Sequence, residues 1–261
     1  MQELDIPSIE FTGERVVPDP GADHLQRSLL NIHQAIYRYI GQHCRNKMVL
    51  DIGCGTGHGM YALQQCAAGV CGTDIASDAI VFLSKRFPML QQRALVCDAL
   101  HIALRQQTFD VVTAVEVIEH LPSEVMFLHE IKRLLHPQGQ CFISTPNRLV
   151  HSPNSIVPRN PFHLREYTAQ EFRALLCQAF KQVTVLGVMI HERGFLIRHH
   201  DSQGLAPVLP SPFSNIERFL AWRVPPWKHS VVRIRHVEFV TDPPPHCWGL
   251  LAVCAEPYAH P

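Results

Sequence analysis

Two hydrophobic periods alternate along this chain. Over 22–43, Leu25, Leu29, Ile32, Ile36, Tyr39 and Ile40 recur every three or four residues, the stripe of an amphipathic helix. Asp23 suits its N-cap and Gly41 its end. Short, nearly unbroken apolar runs follow at 47–52, 69–74, 92–97, 109–115 and 138–144. Runs of that length read as strands covered on both faces. Helical stretches separate them at 57–66, 77–86 and 122–135. In the third, Pro122 suits the first turn, and Val125, Leu128, Ile131 and Leu135 form the stripe. His136-Pro137-Gln138-Gly139 then turns the chain into the next strand. Thr168 with Glu171 after it is a capping box that opens a helix over 168–179. Gln182 to Met189 alternates as a strand, and Trp248 to Ala255 supplies a last one.

Strands separated by helices predict an α/β fold with a parallel sheet and right-handed crossovers. The pattern divides the chain into an N-terminal arm and capping helix (1–43), a core (44–189), an insertion (190–246) and a final core strand with its tail (247–261). Pro7, Pro18 and Pro20 make the arm irregular. The insertion interleaves arginines such as Arg193 and Arg233 with aromatics such as Phe213 and Trp227, with a short helix expected at about 214–222. It fits either a surface for an anionic or sugar-bearing substrate or a cap that packs its aromatics on the core.

Composition narrows the picture. Across 261 residues, 23 basic side chains balance 23 acidic ones, so nothing calls for nucleic acid or an anionic membrane as partner. No basic-then-apolar leader opens the chain and no apolar run is long enough to span a bilayer; a cytoplasmic location is expected. The nine cysteines contain no C-x-x-C and lie mostly in apolar runs, which suggests free thiols and no structural zinc.

The candidate chemistry starts at Val49-Leu50-Asp51-Ile52-Gly53-Cys54-Gly55-Thr56-Gly57-His58-Gly59. A buried strand runs into a glycine-rich turn, and Thr56 or Gly57 opens a helix with free N–H groups. The spacing is G-x-G-x-G with no following Gly-Lys-Ser/Thr, which argues against a phosphate loop. Asp74 closes the next strand about 20 residues on, where an acid can hold both hydroxyls of a ribose. These residues point to an adenosine-containing ligand.

The stretch Asp51 to Gly57 resembles the first motif of class I S-adenosylmethionine (SAM) methyltransferases. The resemblance continues through Asp74, Cys97-Asp98-Ala99, Phe109-Asp110-Val111-Val112, Glu116-Val117-Ile118-Glu119-His120-Leu121 and Ser144-Thr145-Pro146-Asn147, covering roughly residues 45 to 185. Phe11-Thr12-Gly13-Glu14-Arg15-Val16-Val17-Pro18 is similar to a segment of many bacterial methyltransferases found near surface-polysaccharide genes. There Arg15 can pair with the methionyl carboxylate, with substrate, or only with solvent. The family implies a Rossmann-like sheet of seven mostly parallel strands, the last antiparallel beside the sixth, with helices on both faces. It implies SAM as cofactor. The loop Gly53-Cys54-Gly55-Thr56-Gly57 would meet the methionyl end with backbone N–H groups of its glycines. Asp51 would order that loop and accept from the amino group, and Asp74 would take the ribose diol. Asp98 and the Ala99 N–H would read the adenine between Ile75 and Leu100, with Glu116 near the sulfonium.

Methyl transfer from a sulfonium needs alignment and, for a hydroxyl acceptor, removal of a proton. Glu116, Glu119 and His120 at the end of the fourth strand, with His163 after the fifth, can make an oxygen–nitrogen site for Mg, Mn or Zn. The Glu-x-x-Glu-His sequence is similar to that of small-RNA 3′-terminal 2′-O-methyltransferases and of ubiquinone-pathway O-methyltransferases, whose substrates are vicinal diols. That likeness implies a metal gripping adjacent hydroxyls. Without a metal, Glu119 and His120 order the turn, and His163 or His120 serves as general base. His163 with Glu166 also fits a structural clasp. The expected activity is O-methylation of a small-molecule or glycan acceptor. An RNA 2′-O-methyltransferase and a SAM-binding regulator without turnover are the alternatives, the first disfavoured by the balanced charge.

Overall fold

The computed structural model describes residues 24–192, 197–198, 207–208 and 234–258. The arm with Arg15 and the expected helix at 214–222 lie outside the described residues, as do most of the insertion's arginines and aromatics. The chain begins with α1 (His24–Gly41) and then alternates: β1 (Met48–Ile52), α2 (His58–Gln64), β2 (Gly69–Asp74), α3 (Ser77–Arg86), β3 (Ala94–Val96) and β4 (Phe109–Val115). It continues with α4 (Glu124–Leu134), β5 (Leu135–Pro146), the short α5 (Arg148–His151), α6 (Ala169–Leu176) and β6 (Phe180–Glu192). A two-stranded ribbon, β7 (Ile197–Arg198) with β8 (Pro207–Val208), precedes β9 (Ile234–Thr241) and β10 (Gly249–Pro257).

Eight strands form one sheet in the order β3-β2-β1-β4-β5-β10-β6-β9. The first five are mutually parallel. β10 is antiparallel to both its neighbours, β5 and β6. The doubly wound sheet with a late antiparallel strand is the expected one, but it has eight strands rather than seven. The eighth is β9, antiparallel to β6 and drawn from the segment read as an insertion. It continues the sheet past the 13-residue β6, which would otherwise be left as an open edge.

Both faces are covered because the strands alternate. Leu50 and Ile52 of β1 face the layer of α4 and α6 with Phe127, Ile131 and Phe172. Val49 faces the layer of α1, α2 and α3 with Ile36, Met60 and Leu83. The helix 122–135 begins two residues late: Ser123, not a first-turn Pro122, caps α4, its side chain accepting the Met126 N–H. The turn expected at His136–Gly139 is absorbed as an irregularity of β5, since Phe109 pairs with Leu135 and Val111 with Gln140. The strand 92–97 shrinks to an edge strand with Leu95 and Val96 exposed, because Pro88–Arg93 coils as a 3-10 turn. The Thr168–Glu171 capping box is present. All nine cysteines are free. No helix among the described residues is long and apolar enough to cross a membrane.

Candidate active site

The loop after β1 is fixed by contacts that demand glycine. Gly53, Gly55 and Gly57 have φ of 70°, 51° and 82°, the left-handed region that side chains disfavour. A Cβ on Gly53 would lie 2.5 Å from Val117 Cγ2, and one on Gly57 2.5 Å from Leu83 Cγ. A Cβ on Gly55 would meet nothing within 4 Å. Packing therefore holds the first and third glycines, while the middle one leaves an open cradle. The left-handed Gly57 also delays α2 to His58.

The three glycine N–H groups expected to face a ligand are spent inside the protein. Gly53 donates to the Thr73 carbonyl at 2.7 Å and Gly57 to the Cys54 carbonyl at 2.9 Å. Gly55 donates to Asp74 Oδ2 at 2.7 Å, and Ala76 N–H reaches Asp74 Oδ1 at 2.9 Å. Asp74 thus clamps the loop, with lone pairs left over for ribose hydroxyls. Beside it Ile75 is 74% exposed, an apolar surface of the kind a flat base can cover. Buried Cys54 and Thr56 anchor the loop from below. Across the cleft, Asp98 is exposed and accepts the Leu100 N–H at 2.9 Å, next to the partly buried Ala99. His101, exposed to solvent, lies 3.6 Å from Asp98.

Asp51 is fully buried on the α1 side of the sheet. Tyr37 of α1 donates its hydroxyl to Asp51 at 3.0 and 3.2 Å to the two oxygens. Burial pushes the Asp51 carboxyl up to about 8, with the Tyr37 bond opposing and the Asp74 charge adding. The Tyr37 ring lies against Gly59, where a Cβ would fall 2.1 Å from Tyr37 Cζ. Sequence reading missed Tyr37 and gave His33 no role. The signal was present: His33 and Tyr37 are one helical turn apart on a shared flank of the stripe.

The second half of the site grows from the end of β4. Glu116 adopts φ 56°, a strained state for a residue with a side chain. Ser144 of β5 donates to Glu116 Oε1 at 2.6 Å. Ile118–His120 then form a 3-10 turn that drops Glu119 into the interior. Thr145 Oγ1 donates to Glu119 Oε2 at 3.1 Å, while Glu119 Oε1 is buried with no hydrogen-bond partner. Burial, then the neighbouring Glu116 charge, lift the Glu119 carboxyl well above the usual range, against the pull of His163. The Glu119 carbonyl accepts the Leu164 N–H at 2.8 Å, which pins the 160–168 loop over the turn.

That loop delivers His163. Its Nδ1 is 2.7 Å from Glu166 Oε1 and its Nε2 is 2.9 Å from Asn160 Nδ2. His120 Nδ1 is 3.1 Å from the Phe162 carbonyl, and its Nε2 is 3.9 Å from Glu119 Oε1. With each Nδ1–H donated away from Glu119, each Nε2 carries the lone pair that a base or ligand uses, that of His163 facing the Asn160 amide. The two rings are 5.0 Å apart and nearly perpendicular. Ligand atoms of Glu119, His120 and His163 lie within 4.8 Å of one another. Glu116, expected as a fourth member, is not in this group and is engaged with Ser144.

Comparison with known proteins identifies the family. Residues 50–143 match the family model described as a methyltransferase domain. A probable SAM-dependent methyltransferase of Mycobacterium tuberculosis is 33% identical over 69% of this chain and 64% of its own length. A counterpart in Mycolicibacterium smegmatis is 34% identical over 70% of each chain. The chain thus spans just under two thirds of the first relative and slightly more of the second. A ubiquinone biosynthesis O-methyltransferase of Glaesserella parasuis is 37% identical over 39% of this chain and 46% of its own. Among solved structures, a SAM-dependent methyltransferase of Thermotoga maritima, described as a possible histamine N-methyltransferase, shares the fold over 88% of this chain and 94% of its own, with TM-score 0.56 and 14% identity. With 34% identity carried across 70% of both chains, this chain belongs to the SAM-dependent methyltransferase family.

Proposed function

We propose that this protein methylates a hydroxyl of a small-molecule or glycan acceptor, using SAM bound over the Gly53–Gly57 loop and an acceptor held against Glu119, His120 and His163. The observation that carries this reading is the Glu119–His120–His163 cluster, two imidazoles with outward-tied Nδ1 atoms facing a buried carboxylate. SAM supplies a methyl group already activated for displacement. Asp74 and Ile75 orient the adenosine end, the open face at Gly55 admits the chain that follows, and Glu116 stands between this half of the site and the cluster. His163, steadied by Glu166, takes the acceptor's proton at Nε2 once Asn160 gives up its bond there. The kinship with ubiquinone-pathway O-methyltransferases supports oxygen as the atom methylated.

The donor set also fits a divalent cation. Glu119 Oε1 is a buried oxygen without a hydrogen-bond partner, His120 Nε2 lies 3.9 Å from it, and His163 joins the same cluster of ligand atoms. Glu119, His120 and His163 would hold the ion, which would lower the pKa of a coordinated hydroxyl. Asn160, now on His163 Nε2, would then yield its place. Titration of the protein with S-adenosylhomocysteine, then with Mg, Mn or Zn, tests both halves. Cofactor binding lost in Asp74→Ala and a metal signal lost in both His120→Ala and His163→Ala are the results expected. No cofactor binding would overturn the reading. Binding without a metal signal would leave His163 as base, and His163→Ala should then lower kcat by about 10²–10⁴ while leaving cofactor affinity unchanged.

A further inference from the structure

His58, directly after the glycine loop, is the unspent polar group of this half of the site. Both its ring nitrogens are buried and neither has a hydrogen-bond partner. Its ring stands edge-on to Tyr37, with centroids 5.7 Å apart, and the His33 ring, one turn of α1 away from Tyr37, is also 5.7 Å from it. Native interiors rarely leave an imidazole in that condition, and the exceptions ask for a missing partner. Burial holds His58 down at about 4, and burial with the nearby His58 holds His33 down at about 3. Tyr37 is the titratable neighbour of His58, and it in turn is surrounded by Asp51 from β1, Cys54 from the loop and Asp74 from β2. Asp51 already receives the Tyr37 hydroxyl, and Asp74 already receives two backbone N–H groups.

The loop's own donors are also committed. The glycine N–H groups that would be the simplest anchor for an anion point to Thr73, Asp74 and Cys54. What remains is a neutral imidazole pair with donor capacity and no anion. Tyr37 bridges this pair to the Asp51 carboxyl, since its ring touches His58 and its hydroxyl touches Asp51. An amino acid's two charged ends would thus find an imidazole and a carboxyl within reach of one side chain.

We propose that His58, backed by His33, is the receptor for the carboxylate of SAM's methionyl end, a positioning role that rests on the cofactor reading above. The arriving carboxylate accepts a hydrogen bond from the imidazole and favours its protonated form, so binding draws a proton from solvent onto the pair. An adenosine thioether that lacks the amino-acid end, such as 5′-methylthioadenosine, would not engage it.

Calorimetric titrations of the full chain at pH 7 separate the two ligands. S-adenosylhomocysteine, measured in two buffers of different ionisation enthalpy, should take up more protons in the wild type than in His58→Gln, a difference that separates the imidazole from any proton Asp51 gives up to the ligand's ammonium, and 5′-methylthioadenosine should show no such difference. His58→Gln should weaken S-adenosylhomocysteine at least tenfold and leave 5′-methylthioadenosine unchanged, the latter showing that the variant is folded. His33→Gln should reduce the proton uptake with a smaller loss of affinity. Equal weakening of both ligands, or no weakening of either, would overturn the proposal. Wild-type binding of both ligands that Asp74→Ala abolishes, with His58→Gln unaffected, would leave the cofactor reading standing and this one refuted. Wild-type protein that binds neither ligand would remove both.

Discussion

Gly59 shows how a single hydrogen atom can set the site. In a helix, glycine to alanine ordinarily stabilises by about 1 kcal/mol. Here the added Cβ would fall 2.1 Å from the Tyr37 ring, a rigid neighbour. Gly59→Ala should therefore destabilise by about 1–3 kcal/mol, seen as a lower midpoint in urea, and weaken the cofactor by displacing Tyr37. Tyr37→Phe removes the hydroxyl that Asp51 receives and should cost about 1–3 kcal/mol. The pH dependence of stability has two opposed parts. Asp51 rises from 3.8 unfolded to about 8 folded, so the folded state binds the extra proton and stability from this group is lost as pH climbs between those values. His58 falls from 6.5 to about 4, so its contribution is present above 6.5 and lost as pH drops toward 4. Unfolding midpoints measured between pH 4 and 6.5 should fall less steeply on acidification in His58→Gln than in the wild type. The glycines and acids of these effects were legible in the sequence because they sit at strand ends with fixed spacing. The helical spacing of His33 and Tyr37 was legible too, but their meeting with His58 and Asp51 was not, because it comes from a helix crossing a loop, which no local period encodes.

At the scale of elements, the helices act as clamps on the loops of the candidate site. The capping box at Thr168 opens α6 immediately after Glu166 and Tyr167, so the cap also fixes the residue that steadies His163. Thr168→Ala should cost about 1 kcal/mol of stability, measurable by denaturant, and should lower kcat more than it raises KM as Glu166 loses its footing. β9 is the counterpart on the other face. Its Phe239 ring lies 4.6 Å from Tyr39 of α1, so the added strand braces the helix that carries His33 and Tyr37. Its residues alternate apolar Val237 and Phe239 with polar His236 and Glu238, a strand signal present in the sequence but obscured by the basic and proline-rich surroundings. The capping box was legible because its two residues are local to each other. The shift of the α4 start to Glu124 and the absorbed turn in β5 depend on which neighbour β4 offers, and only the assembled sheet decides that.

At the scale of the molecule, the site is split between the two halves of the sheet's strand-end face. In the proposed reading the loops after β1 and β2 hold the cofactor, and the ends of β4 and β5 hold the acceptor. Ligand binding should therefore stiffen elements far apart in sequence. S-adenosylhomocysteine should raise Tm in proportion to the logarithm of its concentration above Kd, and hydrogen exchange should slow in α1 as well as in the glycine loop. One topological fact carries a consequence in time. β10 is paired on both sides from Gly249 to Ala255, between β5 and β6, although it follows every other strand in the chain. A ribosome releasing about 5–20 residues per second would present β3, β2, β1, β4 and β5 as a pairable set well before the strand that joins them to β6 and β9 emerges. Assembly would then end by threading one strand into a waiting slot, with β5 and β6 each exposing an unpaired edge until it arrives.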